Sequence, residues 1–143
     1  MDKGLYCLVL ENPGCTVRVG ALGEIAFRGG WHVYVGSALG SGGLARLERH
    51  RRLATARDKQ PKWHIDYLLV NPAFRLASAV SATTGERLEC RLAAAIGGKG
   101  IPAFGCSDCD CPSHLFFFPR DPAGPVREAF RACGLAPQEP WGP

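Results

Sequence analysis

With 143 residues, 46% of them hydrophobic, the chain can fill one globular core, is too short for two comfortable ones and is too apolar for wholesale disorder. No apolar run approaches the length of a membrane span, and no basic start leads into an apolar signal stretch, so a cytoplasmic, monomeric protein away from membranes is expected. The net charge of +4 is modest, and the odd count of seven cysteines argues against a complete disulfide framework and for reduced thiols.

Gly4 to Glu11 is an apolar stretch with tyrosine and valine and predicts a strand, closed by the turn Asn12-Pro13-Gly14. Thr16 to Val19 and Glu24 to Phe27 predict a hairpin around Ala21-Leu22-Gly23, and Trp31 to Val35 a second core strand. Gly40 to Gly43 reads as a loop. Leu44 to about Arg57 predicts a helix with Leu44, Leu47 and Leu53 as its apolar stripe. Pro61 marks a boundary, Trp63 to Val70 a short helix, and Arg75 to Ser81 a third strand. Thr83 to Glu86 matches a capping box and predicts a helix from there to Ile96, closed by Gly97-Gly98. A cysteine-rich loop leads to the strand Leu115 to Phe118. Gly124 to Cys133 predicts a last helix with Val126, Ala129, Phe130 and Cys133 facing inward. The final ten residues, with three prolines, are expected to lie loosely on the surface. Strands alternate with helices and a hairpin intervenes, so the class is a small mixed α/β (α+β) domain over residues 1–143.

Charge is concentrated between Leu44 and Lys62, where Arg46, Arg49, Arg51, Arg52, Arg57, Lys59 and Lys62 face only Glu48 and Asp58. Such a block attracts phosphate backbones by counterion release, although a charge run alone is more often a solvated helix face. Four pieces join it: Gly4-Leu5-Tyr6 on the first strand, Tyr34-Val35-Gly36-Ser37-Ala38 ending the second, Arg46 with Arg49 and His50 on the next helix, and Glu89 on a later one. Arg46 and His50 are four residues apart and share a helix face. Hydrolysis of a phosphodiester needs groups of this kind. Arginine is a planar fork for phosphate oxygens, and a lone carboxylate is enough to hold Mg²⁺, which keeps most of its waters.

Gly4-Leu5-Tyr6 and Tyr34-Val35-Gly36 resemble the paired tripeptides that name the GIY-YIG nuclease superfamily. Trp63-His64-Ile65-Asp66-Tyr67-Leu68, Glu89-Cys90, and Phe104-Gly105-Cys106-Ser107-Asp108-Cys109-Asp110-Cys111 with Ser113-His114-Leu115 extend the likeness. Together they resemble the DUF123 branch of that superfamily, which occurs alone and fused to endonuclease III. The resemblance covers about Gly4 to Phe118, leaving a helix and tail over 119–143. It implies a GIY-YIG fold, a central antiparallel sheet flanked by helices, with the site on one sheet face. It also implies roles. Tyr6 acts as general base or orients the attacking water, and Tyr34 supports that water. Arg46 binds the scissile phosphate, and His50 contacts the phosphate or the proton path. Glu89 holds one divalent metal ion, Mg²⁺ or Mn²⁺. DNA contacts are expected from Ser37, Arg49, Arg51, Arg52, Lys62, His64, Ser107 and Asp108.

The chain departs from the family pattern at Leu5 and Val35, both conservative, and lacks a late asparagine, since Asn71 is its last. Ser107, Asp108 or Ser113 are the candidates to replace it, and Glu86, one turn before Glu89, is an alternative ligand. Tyrosine near its reference pKa of about 10 is a poor base, so Arg46 and the cation would have to lower it. Without the motifs, Tyr6 and Tyr34 read as strand packers, Gly36 as a turn former, Trp63 as a packing anchor rather than a base-stacking platform, and Asp66 as a cap or ion-pair partner. Cys106, Cys109, Cys111 and His114 could complete a tetrahedral zinc site. They span only nine residues with no second knuckle, and a tight loop beside the active site is the preferred reading. Cys7, Cys15, Cys90 and Cys133 read as small apolar residues.

The reading that follows is a metal-dependent DNA endonuclease acting in repair. Abasic sites are the preferred substrate because sister domains are fused to endonuclease III, an association rather than a chemical deduction. The alternatives are a metal-independent abasic-site lyase using a lysine amine, and a nucleic-acid-binding module without catalysis.

Overall fold

The computed structural model describes residues 2–106 and 111–141. In chain order the strands and α-helices are β1 (Gly4–Asn12), β2 (Cys15–Arg18), β3 (Glu24–Phe27), β4 (Gly30–Ala38), α1 (Arg46–Ala56), α2 (His64–Leu69), β5 (Arg75–Thr83), α3 (Glu89–Ile96), β6 (Lys99–Gly100), β7 (Leu115–Phe118) and α4 (Ala123–Ala132). Five strands form one antiparallel sheet in the order β5-β1-β4-β7-β6, and β2 with β3 forms a separate hairpin. The class is therefore the mixed α+β expected. No helix among the described residues is long and apolar enough to cross a membrane.

β1 is buried along almost its whole length because both faces of the sheet are covered. Successive side chains point to opposite faces. Tyr6, Leu8 and Leu10 enter a cluster with Leu47 and Leu53 of α1, Ile65, Leu68 and Leu69 of α2, and Val17 and Phe27 of the hairpin. Leu5 and Cys7 enter the opposite cluster with Leu92, Ala93 and Ile96 of α3 and Val126, Ala129 and Phe130 of α4. The continuous apolar run of β1 is thus that of a strand sandwiched between two helical layers.

Three expectations are corrected. The capping-box pattern at Thr83 does not start a helix. Thr83 pairs with Gly4 as the last residue of β5, the Thr84 hydroxyl accepts the Glu86 N–H at 3.1 Å, and α3 begins only at Glu89. The hydroxyl closes a local turn, a use open to the same residue types. The short strand β6 was not foreseen, since two residues carry no periodicity. The C-terminal tail is tied down: Gln138 exchanges backbone hydrogen bonds of 2.7 and 2.8 Å with Ser81, Trp141 packs against the Tyr6-side core, and Arg127 pairs with Glu139 at 3.1 Å. The bridge at Ser81 covers the open side of edge strand β5, which would otherwise offer unpaired backbone groups.

His32 on β4 lies wholly inside, its ring 5.5, 6.0 and 5.4 Å from those of Phe27, Phe74 and Phe117. Its Nδ1 accepts from the Asn12 side-chain amide at 3.3 Å. Burial pushes its pKa down to about 4. A histidine neutral in the fold and ordinary in the unfolded chain, near 6.5, contributes stability that is complete above about pH 6.5 and lost as pH falls toward 4. The loss from His32 should reach roughly 3 kcal/mol. NMR titration of its imidazole protons should place the midpoint near 4, and a midpoint near 6.5 would contradict the buried neutral ring.

Candidate active site

Where the end of β4 meets the start of α1, the turn before α2 and the first residue of α3, a cleft of about 360 Å³ opens, lined by Tyr6, Tyr34, Gly36, Ser37, Arg46, Lys62, Trp63, His64, Glu89, Gly105 and His114. Tyr6 is its floor, only 2% exposed. In the β1–β4 register Tyr6 stands opposite Gly36. A Cβ built on Gly36 would fall 2.4 Å from Tyr6 Cζ and 2.5 Å from its hydroxyl oxygen. The glycine is therefore required for space. Its φ is not positive, so the turn-forming reading of Gly36 is corrected.

The Tyr6 hydroxyl lies 2.8 Å from His50 Nε2, on the fully buried face of α1. Burial pushes the His50 imidazole down to about 4, assisted by the Arg49 and Arg46 charges and opposed by Asp66. In its Nδ1–H tautomer the neutral imidazole accepts at Nε2 and Tyr6 donates. Burial also raises the Tyr6 phenol well above its usual 10. The neighbouring Tyr34, its ring 6.4 Å away, adds to the rise, and Arg46 opposes it without prevailing. Arg46 does pull this phenol down, as expected, but by itself it does not outweigh desolvation.

Arg46 is anchored by a 2.8 Å bond from Nη1 to the Ser37 carbonyl at the end of β4, and its Cζ sits 4.8 Å from the centre of the Trp63 ring. Arg49 Cζ lies 4.3 Å and Lys62 Nζ 5.8 Å from the same ring centre. Trp63 is a cation–π platform for three cations. Asp66 fixes it: its fully buried Oδ2 accepts from the backbone N–H of Lys62 at 2.9 Å and of Trp63 at 3.0 Å, and meets Arg49 Nη2 at 3.4 Å. Both expected roles of Asp66, cap and ion-pair partner, are present. His64 accepts the Gly105 N–H on Nδ1 at 2.8 Å, and burial lowers its pKa. Gly105, at φ 76°, has His114 and Tyr34 atoms 3.1 and 3.3 Å from where a Cβ would stand, so the loop closes tightly over the cleft wall. Glu89 opens α3, and its Oε2 is buried with no hydrogen-bond partner among the described residues. Beside it, ligand atoms of Cys90, Cys111 and His114 all lie within 4.8 Å of one another, a group that could hold a metal ion.

A family model described as domain of unknown function DUF123 matches residues 5–135. The chain belongs to that family. No curated protein and no solved structure matches it.

In this DUF123 chain, Tyr6, Tyr34, Ser37, Arg46, Lys62, His64 and Glu89 share one cleft, with His50 directly behind Tyr6. Arg49 sits beside them on Trp63. Arg51 and Arg52 do not line the cleft, and Arg51 instead stacks on Trp141 at 5.4 Å. Glu86 is exposed outside it. Among the described residues Ser113 is buried and bonds only the backbone of Leu115, Asn71 caps Ala73, and neither lines the cleft. Ser107, Asp108 and Cys109 lie outside the described residues. Of the zinc set weighed against the tight-loop reading, Cys111 and His114 come together with Cys90, while the Cys106 thiol donates to the Phe104 carbonyl at 3.4 Å. The part of His114 in the cleft wall was missed, because residues 24 apart come together only through the sheet and α3.

Gly36→Ala should cost about 1–3 kcal/mol by forcing the phenol to move. In a Tyr6→Ala background the same change should cost close to nothing, and urea unfolding of the double-mutant cycle reads the difference. Equal costs in both backgrounds would mean that the two residues do not compete for one space.

Proposed function

We propose that this chain is a cytoplasmic, metal-dependent DNA endonuclease of the GIY-YIG type, hydrolysing a phosphodiester in DNA repair with abasic sites as the preferred substrate. The observation that carries it is the buried Oε2 of Glu89, without a hydrogen-bond partner among the described residues, in the same cleft as Arg46 and the Tyr6–His50 pair. A carboxylate oxygen removed from water without a protein partner suits a cation. One such ligand is sufficient for Mg²⁺ or Mn²⁺ completed by waters and phosphate oxygens. A divalent ion bound there would act as Lewis acid and stabilise the leaving oxygen.

The chain's own residues supply the rest. Arg46, held at one nitrogen by Ser37, has further N–H groups for a non-bridging phosphate oxygen. Tyr6 need never become a free phenolate. As its hydroxyl proton passes to the neutral His50 Nε2, its oxygen accepts a proton from the attacking water. That hydroxide adds to phosphorus, and the leaving oxygen is protonated from solvent. Asp66 attracts the imidazolium that forms. Arg49, Lys62 and the stacked Trp63 carry positive charge toward the DNA backbone, and Arg51 and Arg52 extend that charge beyond the cleft. The abasic preference rests on the family's fusions to endonuclease III, a glycosylase that would be its functional partner.

One observation favours a second reading. Lys62 lines the cleft, so an amine is available for the Schiff base of a metal-independent lyase. Cleavage of a labelled duplex with a single abasic site, beside an intact copy, separates the readings. Cutting should require Mg²⁺, favour the lesion, and fall on the order of a hundredfold or more in Glu89→Ala and in Tyr6→Phe, with salt-sensitive binding retained. Cutting in EDTA with borohydride trapping at Lys62 would replace the hydrolase by the lyase. Binding without cutting would leave a non-catalytic module.

A further inference from the structure

We propose that Cys90, Cys111 and His114 form a zinc site, distinct from the Glu89 carboxylate, that ties the first turn of α3 to the segment entering β7. It does not rest on the nuclease reading. Its basis is the gathering of three soft or borderline ligands from two distant parts of the chain. His114 Nε2 stands 3.9 Å from Cys90 Sγ and 2.7 Å from Cys111 Sγ, and all three ligand atoms fall within 4.8 Å of one another. In a tetrahedral zinc site with Zn–S near 2.3 Å and Zn–N near 2.0–2.1 Å, sulphur and nitrogen are about 3.6 Å apart and two sulphurs about 3.8 Å. Cys90 already meets that spacing. Cys111 lies inside it, and a small rotation about its Cα–Cβ bond opens the pair.

The remaining described thiols behave differently. Cys7, Cys15 and Cys133 pack into the two apolar clusters and Cys106 donates to the Phe104 carbonyl, whereas Cys90 and Cys111 belong to neither cluster and face His114. Both are half-buried, and no disulfide joins any of the described cysteines. Sulphur placed against an imidazole, away from the apolar core, suits a metal better than packing. Two thiolates with one imidazole select zinc over the hard cations that a lone carboxylate binds. Binding would release two thiol protons to solvent, leaving the ligands' two negative charges to cancel that of Zn²⁺. A water or a further side chain completes the tetrahedron. Because Cys90 follows Glu89 in the chain and His114 lines the cleft, the ion would clamp two walls of the cleft together.

Zinc content of the full-length chain, purified by gel filtration in Mg²⁺ buffer, tests this. Wild type should carry stoichiometric zinc, as should Cys15→Ser and Cys133→Ser, while Cys90→Ser and Cys111→Ser should weaken retention at least about tenfold. Titration of zinc-stripped wild type with Co²⁺ should give thiolate-to-cobalt charge-transfer absorption, and this decides the matter should the variants fail to fold. Bound metal should also protect Cys90 and Cys111 from alkylation. The proposal is overturned by absence of the charge-transfer band, by zinc retention indifferent to Cys90→Ser, or by a Cys90–Cys111 disulfide in the native chain.

Discussion

The phenol of Tyr6 occupies the space that a side chain on Gly36 would fill, and much of the cleft depends on that one cross-strand contact. With the ring sunk between β1 and β4, desolvation keeps the hydroxyl protonated and makes it a donor that must find an acceptor. His50, itself buried and neutral, is that acceptor in its Nδ1–H tautomer. Its position follows from the seat of α1, which lays Leu47 and Leu53 onto the same core. The two tripeptides that look like separate motifs in the chain are one packing unit, a tyrosine and the glycine that makes room for it.

A second constraint sets the charges. α2 has six residues, too few to hold itself as an isolated helix. The Asp66 carboxylate holds its start by capping two backbone N–H groups and engaging Arg49. That bond set fixes Trp63, and Trp63 in turn carries Arg46 and Arg49 on its ring. Two guanidiniums stacked on one indole repel each other. A single buried carboxylate beside them offsets part of that repulsion and leaves a positive surplus facing the cleft. The surplus is arranged before any ligand arrives, so little side-chain entropy remains to be lost when an anion binds.

Most strands and helices were legible because each satisfies a local rule. β1 and β7 are unbroken apolar runs, α1 and α4 show helical stripes, and glycine or proline punctuates the ends. What failed is what local rules cannot decide. The Thr83–Glu86 pattern fits a helix cap and an extended strand followed by a turn equally well, and only the pairing of Thr83 with Gly4 chooses. The tail is held by one bridge, one tryptophan and the Arg127–Glu139 pair, none visible as a pattern. In the cleft, Tyr6, Tyr34, Arg46, His50 and Glu89 were found as an ordered set. Of the partners of His114, Cys111 was in the set weighed from the sequence and Cys90 was not, because spacing alone groups neighbouring cysteines, whereas Cys90 arrives from a helix on the far side of the sheet. Gly36 was recognised as a motif residue by resemblance, but the space it provides was not, since a steric vacancy leaves no trace in composition.

Glu89 and Cys90 are consecutive in the first turn of α3, yet their donor atoms are chemically opposite. An oxygen site with a single carboxylate holds Mg²⁺ loosely among waters, whereas sulphur with imidazole holds zinc tightly. If both are occupied, one turn of helix serves as the boundary between an exchangeable ion and a fixed one. That division is useful physically. A cation that must accommodate arriving and departing phosphate oxygens cannot also be the clamp that sets the width of the cleft. Separating the duties by ligand softness would let the wall stay assembled while the proposed reactive position turns over. On that reading a chelator would remove both ions and Mg²⁺ would return only to the oxygen site, so the two contributions would be chemically separable within one chain.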